Sequence, residues 1–509
     1  MSASEKKDIA VPMPVVTVGM ANLPNLSGVT LTDGEKALEK YHSDEMGPAS
    51  LDSRQHIDLE SQTHIAKDRP KRFATLRYTI LSIYRRLFSL VFLANIAVFV
   101  AVMVSDRKLL ALVNATAANL LACGLARQPL AVNSIFRIVC SLPRSAPMPL
   151  RRLAAKVYHY GGVHSGCGIA ALVWYIGFVG LLSNMYWTPS PAGSTSTPSI
   201  NISAAPVAIA YIILALLVLM TAVAYPTFRV KRHDYFELTH RFTAWLVIAL
   251  FVALLMVFSI EVSRAQHEPL GHFLVMLPAF WFLVVTVIAI LHPWSLLRKV
   301  PVRAERLSSH TVRLHFDHTR VGFGKGLQVS KQPLRDWHSF ATFPDPNPTG
   351  PQQSFSCLVS KAGDWTADTI QNPPTHLWKR GVPIFGVAYA MRVFERVLLV
   401  TTGSGIGPCL SFLGDDRRPF SLRVIWQTRA PLKTYGQSVM ELVHRMDSDP
   451  IIMDTDRDGR VDMLPIVQHQ VKAFNAEAVC VISNPKTTSR IVYELESRGI
   501  PAYGPIFDS

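Results

Sequence analysis

Thr401-Thr402-Gly403-Ser404-Gly405-Ile406-Gly407-Pro408 follows directly on the apolar run Arg396 to Val400. Glycines at alternating positions let a backbone approach a pyrophosphate closely. A helix starting there would add free N–H groups and the positive end of its dipole. A glycine pattern alone is weak evidence; the preceding apolar strand and the closing proline make this one more specific for a dinucleotide. Thr402, Gly403, Ser404, Gly405, Ile406 and Gly407 are therefore the candidate pyrophosphate cradle. One strand later, Val424-Ile425-Trp426-Gln427-Thr428-Arg429-Ala430-Pro431-Leu432-Lys433 ends without a carboxylate to take a ribose 2′-hydroxyl. Arg429 and Lys433 stand where a 2′-phosphate would be met, which favours NADPH over NADH. The bland reading of the same residues is a tight turn followed by a solvated basic loop.

Upstream lies Trp337-His338-Ser339-Phe340-Ala341-Thr342, then Lys361-Ala362-Gly363-Asp364-Trp365-Thr366, then Gly381-Val382-Pro383-Ile384-Phe385-Gly386. These three, in this order and followed by the glycine turn, resemble the HPFT-type, GDWT and G-P-F-G elements of the transmembrane ferric reductase and NADPH oxidase superfamily. The resemblance runs from about Arg77 to the C-terminus. Within it, YHYGGVHSGCG, FELTHRF and the PIFDS ending look most like the TmpA-like fungal transmembrane flavoproteins. The resemblance implies a ferredoxin–NADP reductase-like module binding FAD and NADPH, with FAD at His338, Ser339, Phe340, Ala341 and Thr342. Ala341 stands where the family carries a hydroxyl, so Thr342 or Ser339 would have to compensate.

Two departures matter. The superfamily carries two histidines on each of its third and fifth membrane helices, for two haems stacked across the bilayer. Here His159 and His164 lie at one end of the third apolar segment, and His240 lies in the fifth. The positions of the outer ligands are Leu172, Val173, Gly177 and Phe178 in one segment, Ala253 and Leu254 in the other. The expectation is at most a single inner haem, on His164 and His240 with His159 as the alternative. Otherwise these are interfacial histidines. Secondly, Ser483-Asn484-Pro485 replaces the family's Cys-Gly-Pro, and Cys480 lies too early to substitute. No catalytic side chain is assigned, because hydride transfer requires alignment more than acid–base help. A third motif is a decoy. Asp454-Thr455-Asp456-Arg457-Asp458-Gly459 imitates a calcium loop, yet Pro465 stands where a bidentate glutamate belongs.

The elements that must hold these residues are of two kinds. Apolar segments at about 84–105, 109–126, 159–182, 204–225, 239–260 and 271–293 each approach the ~20 residues that cross a bilayer as a helix. The second contains Asn114 and Asn119, and 129–142 reads as an interfacial helix. Arginine and lysine cluster before the first segment, between the second and third, between the fourth and fifth, and after the sixth. That alternation puts both termini in the cytosol, in the plasma membrane or an endomembrane. The uncharged loop 184–203 carries the sequon Asn201-Ile202-Ser203, a glycan acceptor if it faces a lumen.

From about Val300 the pattern alternates as strands do, and then changes to strand–helix repeats. The expected organisation is a polar cytosolic tail (1–75), a six-helix transmembrane domain (76–298), a β-barrel FAD domain (299–392) and an α/β NADP domain (393–509). Charged residues are 17% of the chain and the formal charge is +15. Most cations flank apolar segments, which points to anionic lipid as partner and away from nucleic acid. The six scattered cysteines form no CxxC or Cys/His cluster. The expected function is a membrane flavoprotein oxidoreductase. It would pass hydride from NADPH to FAD, then electrons to a small-molecule or protein acceptor at the cytosolic face. The resemblance adds metabolite or signal biosynthesis as a setting. The alternatives are a haem-dependent transmembrane ferric reductase or NADPH oxidase, and a non-enzymatic membrane regulator on a degenerate reductase fold.

Overall fold

The computed structural model describes residues 73–105, 108–188, 202–317, 319, 321–345, 354–413 and 420–505. The polar N-terminal tail and Asn201 of the sequon lie outside the described residues. The helical half comprises α1 (Ile83–Ser105), α2 (Leu109–Leu125), α3 (Pro129–Val139), α4 (Met148–Ala154), α5 (Gly161–Trp187), α6 (Ala204–Val223), α7 (Pro226–Lys231), α8 (His233–Ala265), α9 (Leu270–Met276) and α10 (Pro278–Ser295).

Among the described residues, five helices are long and apolar enough to cross a membrane, and α2 with α3 makes a sixth if that pair, bent by 75°, is counted as one span. The six expected segments are thus helical, the last of them split at Leu277 into α9 and α10, but α2 has only 17 residues, while α8 reaches 33. The asparagines that weaken α2 as a span hold the bundle together. Asn119 donates to Asn95 Oδ1 (2.8 Å), Trp174 Nε1 donates to the same oxygen (2.9 Å), and Asn114 accepts from Ala279 N (3.0 Å). Polar side chains between apolar helices commonly act this way. Gly162 and Gly166 let α5 cross α1 closely: a Cβ on them would lie 2.4 Å from Tyr84 O and 3.1 Å from Phe88 O. Further along, Tyr175, Phe178, Phe251 and Phe258 fill the space between α5 and α8, with ring centroids 5.1 to 6.1 Å apart.

The second half begins with a near-closed antiparallel sheet: β1 (Arg298–Pro301), β2 (Arg303–Arg306), β3 (Thr311–Phe316), β4 (Lys325–Ser330), β5 (His338–Pro344), β6 (Phe355–Ser360), β7 (His376–Lys379) and β8 (Ile384–Phe385). The order is β1-β7-β4-β5-β6-β3-β2, with β8 on β4. Val312, Leu314, Phe316, Leu327, Val329, Phe355 and Val359 form its interior. A parallel sheet follows, ordered β11-β10-β9-β12-β13. Its strands are β9 (Arg396–Thr402), β10 (Ser421–Thr428), β11 (Ile451–Asp454), β12 (Ala478–Ile482) and β13 (Ala502–Tyr503). β9 reads as an unbroken apolar run because helices cover both faces; Val397 to Val400 are fully buried. Around the two sheets lie α11 (Asp364–Gln371), α12 (Val387–Ala390), α13 (Ile406–Cys409), α14 (Pro431–Met446), α15 (Met463–Ala473) and α16 (Pro485–Ser497). Barrel followed by parallel α/β sheet is the two-lobed ferredoxin–NADP reductase-like architecture.

The interfacial helix expected at 129–142 is present as α3, but its buried face packs on the barrel and parallel-sheet lobes. Phe136 meets Phe385 and Tyr389 at centroid distances of 6.2 and 6.3 Å. Asn133 donates to Pro383 O (2.9 Å) and accepts from Phe385 N (2.9 Å). Arg151 on α4 binds Glu477 through both guanidinium nitrogens (3.0 and 3.2 Å) and also donates to Val393 O (3.2 Å). The α3–α4 segment therefore clamps the helical half to both lobes.

Candidate functional site

β9 is the first strand of the parallel sheet and lies at its centre. The chain builds outward to β10 and β11 on one side, and to β12 and β13 on the other. Loops leaving β9 and β12 therefore diverge, opening a crevice at the carboxyl ends of the strands, where open α/β sheets take ligands. A cleft of about 1090 Å³ lies there, lined by Thr402, Gly403, Ser404, Arg429, Arg460 and Lys486 among others. The glycine turn opens into it. Gly403 has φ +49, and a Cβ there would meet nothing within 4 Å, so its backbone is accessible to a ligand. Gly405 acts on the opposite side of the turn, where a Cβ would lie 2.4 Å from Ile482 O and 2.5 Å from Thr401 Oγ1. Its missing side chain lets β12 pass close by. Trp426 Nε1 donates to Gly403 O (3.0 Å) and Thr401 Oγ1 donates to Ile482 O (2.8 Å), which holds the turn in place.

Ile406 and Gly407 are buried behind the turn. The helix they begin has only four residues, continued by a single 3-10 turn. The dipole expected at this position is thus one short turn, and a phosphate here would depend on individual N–H groups. Arg429 lines the cleft and pairs with Asp456 (3.0 Å). Lys433 is exposed on α14 and does not line it. Three cations that sequence reasoning did not assign do: Arg460, Lys486 and Arg490. Arg490 pairs with Asp462 (2.7 Å), whereas Arg460 and Lys486 make no ion pair among the described residues. The only sequence hint was basic residues shortly after strand ends, a pattern too common to select them. His310 reaches in from the barrel, its Nε2 3.4 Å from Ser404 Oγ.

The imitation calcium loop lies on the rim with its carboxylates engaged. Asp454 accepts from Ala430 N (2.8 Å), Asp458 pairs with Arg457, and Asp462 caps α15. In Ser483-Asn484-Pro485, Asn484 caps α16 by accepting from Thr487 N (3.0 Å). Ser483 and Thr402 join hydroxyl to hydroxyl across the ends of β12 and β9. Cys480 is fully buried in β12, away from the cleft.

The strand β5, paired between β4 and β6, carries His338 to Thr342. Trp365 of α11 stacks against both His338 (centroids 4.3 Å) and Phe340 (5.7 Å). His338 Nε2 is buried and makes no hydrogen bond among the described residues, although Asp336 Oδ2 lies within ion-pair distance at 3.8 Å. Burial lowers the His338 pKa, although Asp336 and Glu237 pull it upward. Ser339 is exposed and Ala341 half-buried. Thr342 cannot replace the hydroxyl that Ala341 lacks: it is buried, and its Oγ1 donates to Lys325 O (2.9 Å). Ser339 is the hydroxyl that remains available. At the turn before α11, Thr366 Oγ1 accepts from both Ala362 N and Gly363 N, so those amides are already paired.

The start of β5 is fixed against the helical bundle. Arg380 lies over Trp337 (4.3 Å) and Trp294 (5.1 Å), and Arg241 donates to Arg335 O (2.7 Å). Burial, with Arg241 nearby, lowers the Arg380 pKa to about 10. Two of the three candidate haem ligands come together in the adjoining bundle: the His164 and His240 rings are 6.4 Å apart. His164 Nδ1 is oriented by Cys123 O (2.9 Å). His159 does not join them; it bonds Lys156 O (2.9 Å) and stacks on Tyr158. In the other half of the bundle, where an outer ligand pair would sit, a cavity of about 50 Å³ lies among Val113, Tyr175, Phe178 and Phe258.

The sequence has known relatives. Residues 387–509 match the family model for the C-terminal domain of adenylate-forming reductase 03009. Over 485 residues, 95% of this chain, the sequence is 38% identical to adenylate-forming reductase 03009 of Coprinopsis cinerea, covering 46% of it. It is 40% identical to adenylate-forming reductase 06235 of the same fungus over 85% of this chain and 41% of the relative. The chain thus spans under half the length of these curated relatives. Among solved structures, the ferredoxin NADP+ reductase of Neisseria gonorrhoeae, with bound FAD and NADP, aligns with 41% of this chain and 98% of its own. That alignment has 12% identity and a TM-score of 0.32.

Proposed function

We propose that this chain is a membrane-anchored oxidoreductase that takes reducing equivalents from NADPH through FAD to an acceptor at the junction of barrel and bundle. The observation that carries this reading is the cleft at the ends of β9 and β12, where the accessible Gly403 backbone meets the unpaired cations Arg460 and Lys486. Backbone amides and cations converging at a sheet's switch point suit a dinucleotide's phosphates. Arg429 and Arg460 would hold a 2′-phosphate, since no carboxylate closes β10 and Asp456 is already paired with Arg429. His338, whose Nε2 makes no hydrogen bond among the described residues, and the exposed Ser339 would hold the flavin beside the Trp365 plane. When bound, the nicotinamide supplies a hydride and the flavin divides it into single electrons. The chain's own part is to bind, to align and to exclude water; the Arg380–Trp337–Trp294 stack closes the side facing the bundle.

The relatives' names support a reductase, and the sequence motifs keep their likeness to TmpA-like flavoproteins. The apolar lengths of the helices support membrane anchoring, the basic loops are the ground for cytosolic termini, and the domain division stays at 1–75, 76–298, 299–392 and 393–509. Purified full-length protein should show flavin absorbance and reduce a dye with NADPH. Absence of both would refute this reading in favour of a non-enzymatic regulator.

One observation favours a second reading. The His164 and His240 rings, 6.4 Å apart, leave room for two metal–nitrogen bonds of roughly 2 Å each. A Soret band lost in His240→Ala would establish a single inner haem.

A further inference from the structure

A second large crevice, of about 700 Å³, lies away from the dinucleotide cleft. Its walls are the single π-helical turn Leu76–Ile80, the start of α1, α4 and the outer face of α16. Four arginines line it: Arg77, Arg85, Arg86 and Arg152. None of them makes an ion pair among the described residues, whereas their neighbour Lys156 is paired with Glu496. Arg86 donates to Leu81 O (2.7 Å) and Arg85 to Ile80 O (3.2 Å), so two of the cations are held in place by the turn they cap.

Two buried polar atoms at this crevice lack any partner: Arg152 Nε, and the Oγ1 of Thr488, a residue only 3% exposed. Leaving such groups unpaired is costly, and a bound acceptor reaches them only if the crevice wall shifts to expose them. Leu153 lines the crevice and is exposed, and Leu76, Ile80 and Leu81, in or next to the turn that forms one wall, are exposed as well. The crevice opens beside the first turn of α1, a helix whose most apolar stretch is nowhere buried in the protein. Fixed guanidinium groups inside, unsatisfied donors in the wall and exposed apolar side chains beside it match a phosphate group that carries acyl chains.

We infer that this crevice seats the phosphate headgroup of an anionic phospholipid. The inference rests on the membrane reading above. α16 divides this site from the dinucleotide cleft: Thr488, Val492 and Tyr493 face the lipid site, while Thr487, Arg490 and Ile491 face the nucleotide.

The test uses the full-length protein in phosphatidylcholine vesicles with and without phosphatidic acid. Flotation reports membrane association, and native mass spectrometry reports retained lipid. Wild type should float with both kinds of vesicle and retain phosphatidic acid selectively. Arg152→Gln and Arg77→Gln should each lower that retention about fivefold. Arg152→Lys should recover part of it, and Thr488→Val should lose less than either. Arg77 is exposed, so its variant keeps the test decisive should Arg152→Gln fail to fold. Flotation without selective retention, or retention unchanged in both arginine variants, overturns the inference alone. Competition by glycerol phosphate at matched concentration would identify a soluble phosphate site and overturn the lipid assignment. Failure to float with phosphatidylcholine alone would sink the membrane reading and this inference together.

Discussion

A methyl group on Gly405 would lie 2.4 Å from the Ile482 carbonyl oxygen, whereas one on Gly403 would meet nothing within 4 Å. Gly405→Ala should therefore cost about 3 kcal/mol or more, because the Ile482 backbone and the Thr401 hydroxyl bonded to it must both move. Gly403→Ala should cost only about 1 kcal/mol, the strain of a positive φ. Thermal melting of the two variants checks the order; equal losses would mean the turn is not wedged against β12. Arg460→Ala should raise the KM for NADPH about tenfold while leaving that for NADH nearly unchanged, the loss of one charge-assisted contact. Arg429→Ala should have a smaller effect, since Asp456 already neutralises part of that charge. Steady-state kinetics with a dye acceptor and both nucleotides would separate them. Equal losses for NADH and NADPH would move the 2′-phosphate elsewhere.

Among the elements, α3 and α4 connect the two halves. Asn133→Ala would remove both hydrogen bonds to the Pro383–Phe385 loop and should destabilise by roughly 2 kcal/mol. Arg151→Ala should cost more, because it leaves Glu477 without its bidentate partner. That pair also predicts a pH dependence. Burial tends to raise the Glu477 pKa, but hydrogen bonds from Arg151 and Glu395 N outweigh it, and the net shift is downward from 4.5. A carboxyl with a depressed folded-state pKa stabilises above its unfolded value, and that contribution is lost as pH falls through the folded one. The melting temperature should thus fall as pH drops below about 4.5, and the fall should be shallower in Arg151→Ala. An identical slope in the variant would show that the pair does not carry the effect.

For the whole molecule, the consequence of this clamp is that the reductase lobes are incomplete without the bundle's connecting segment. Val132, Phe136 and Cys140 belong to the same apolar core as Phe385, Met391 and Phe394. A fragment starting at Arg298 would expose that face to water. It should bind a hydrophobic dye strongly, and a peptide spanning residues 129–155 should suppress the signal. A fragment that is monomeric and dye-free would mean that the lobes close over the surface unaided. A second set of contacts, Arg241 to Arg335 O and Arg380 over Trp294 and Trp337, holds the start of β5 against α8 and α10.

The amino-acid sequence by itself determined the features whose physics is local. Apolar length marks a helix that must satisfy its own backbone, and five of the six expected segments are single helices, while the sixth, 271–293, is split at Leu277 into α9 and α10. An apolar strand ending in Gly403-Ser404-Gly405 marks a turn at the strand's carboxyl end, and β9 ends there. What the tertiary structure decided was everything that depends on strand order and close approach. Arg460 lies in the loop after β11, Lys486 and Arg490 lie on α16 after β12, and they meet only because β11 and β12 flank the central pair. Lys433, nearer in sequence to the expected phosphate, sits on a helix face outside the cleft. Gly405 is required by a strand arriving some eighty positions later, at Ile482, and Thr342 gives its hydroxyl to a carbonyl that only sheet pairing brings near. Sequence spacing holds no record of such distances, because a fold sets them through contacts between segments far apart in the chain.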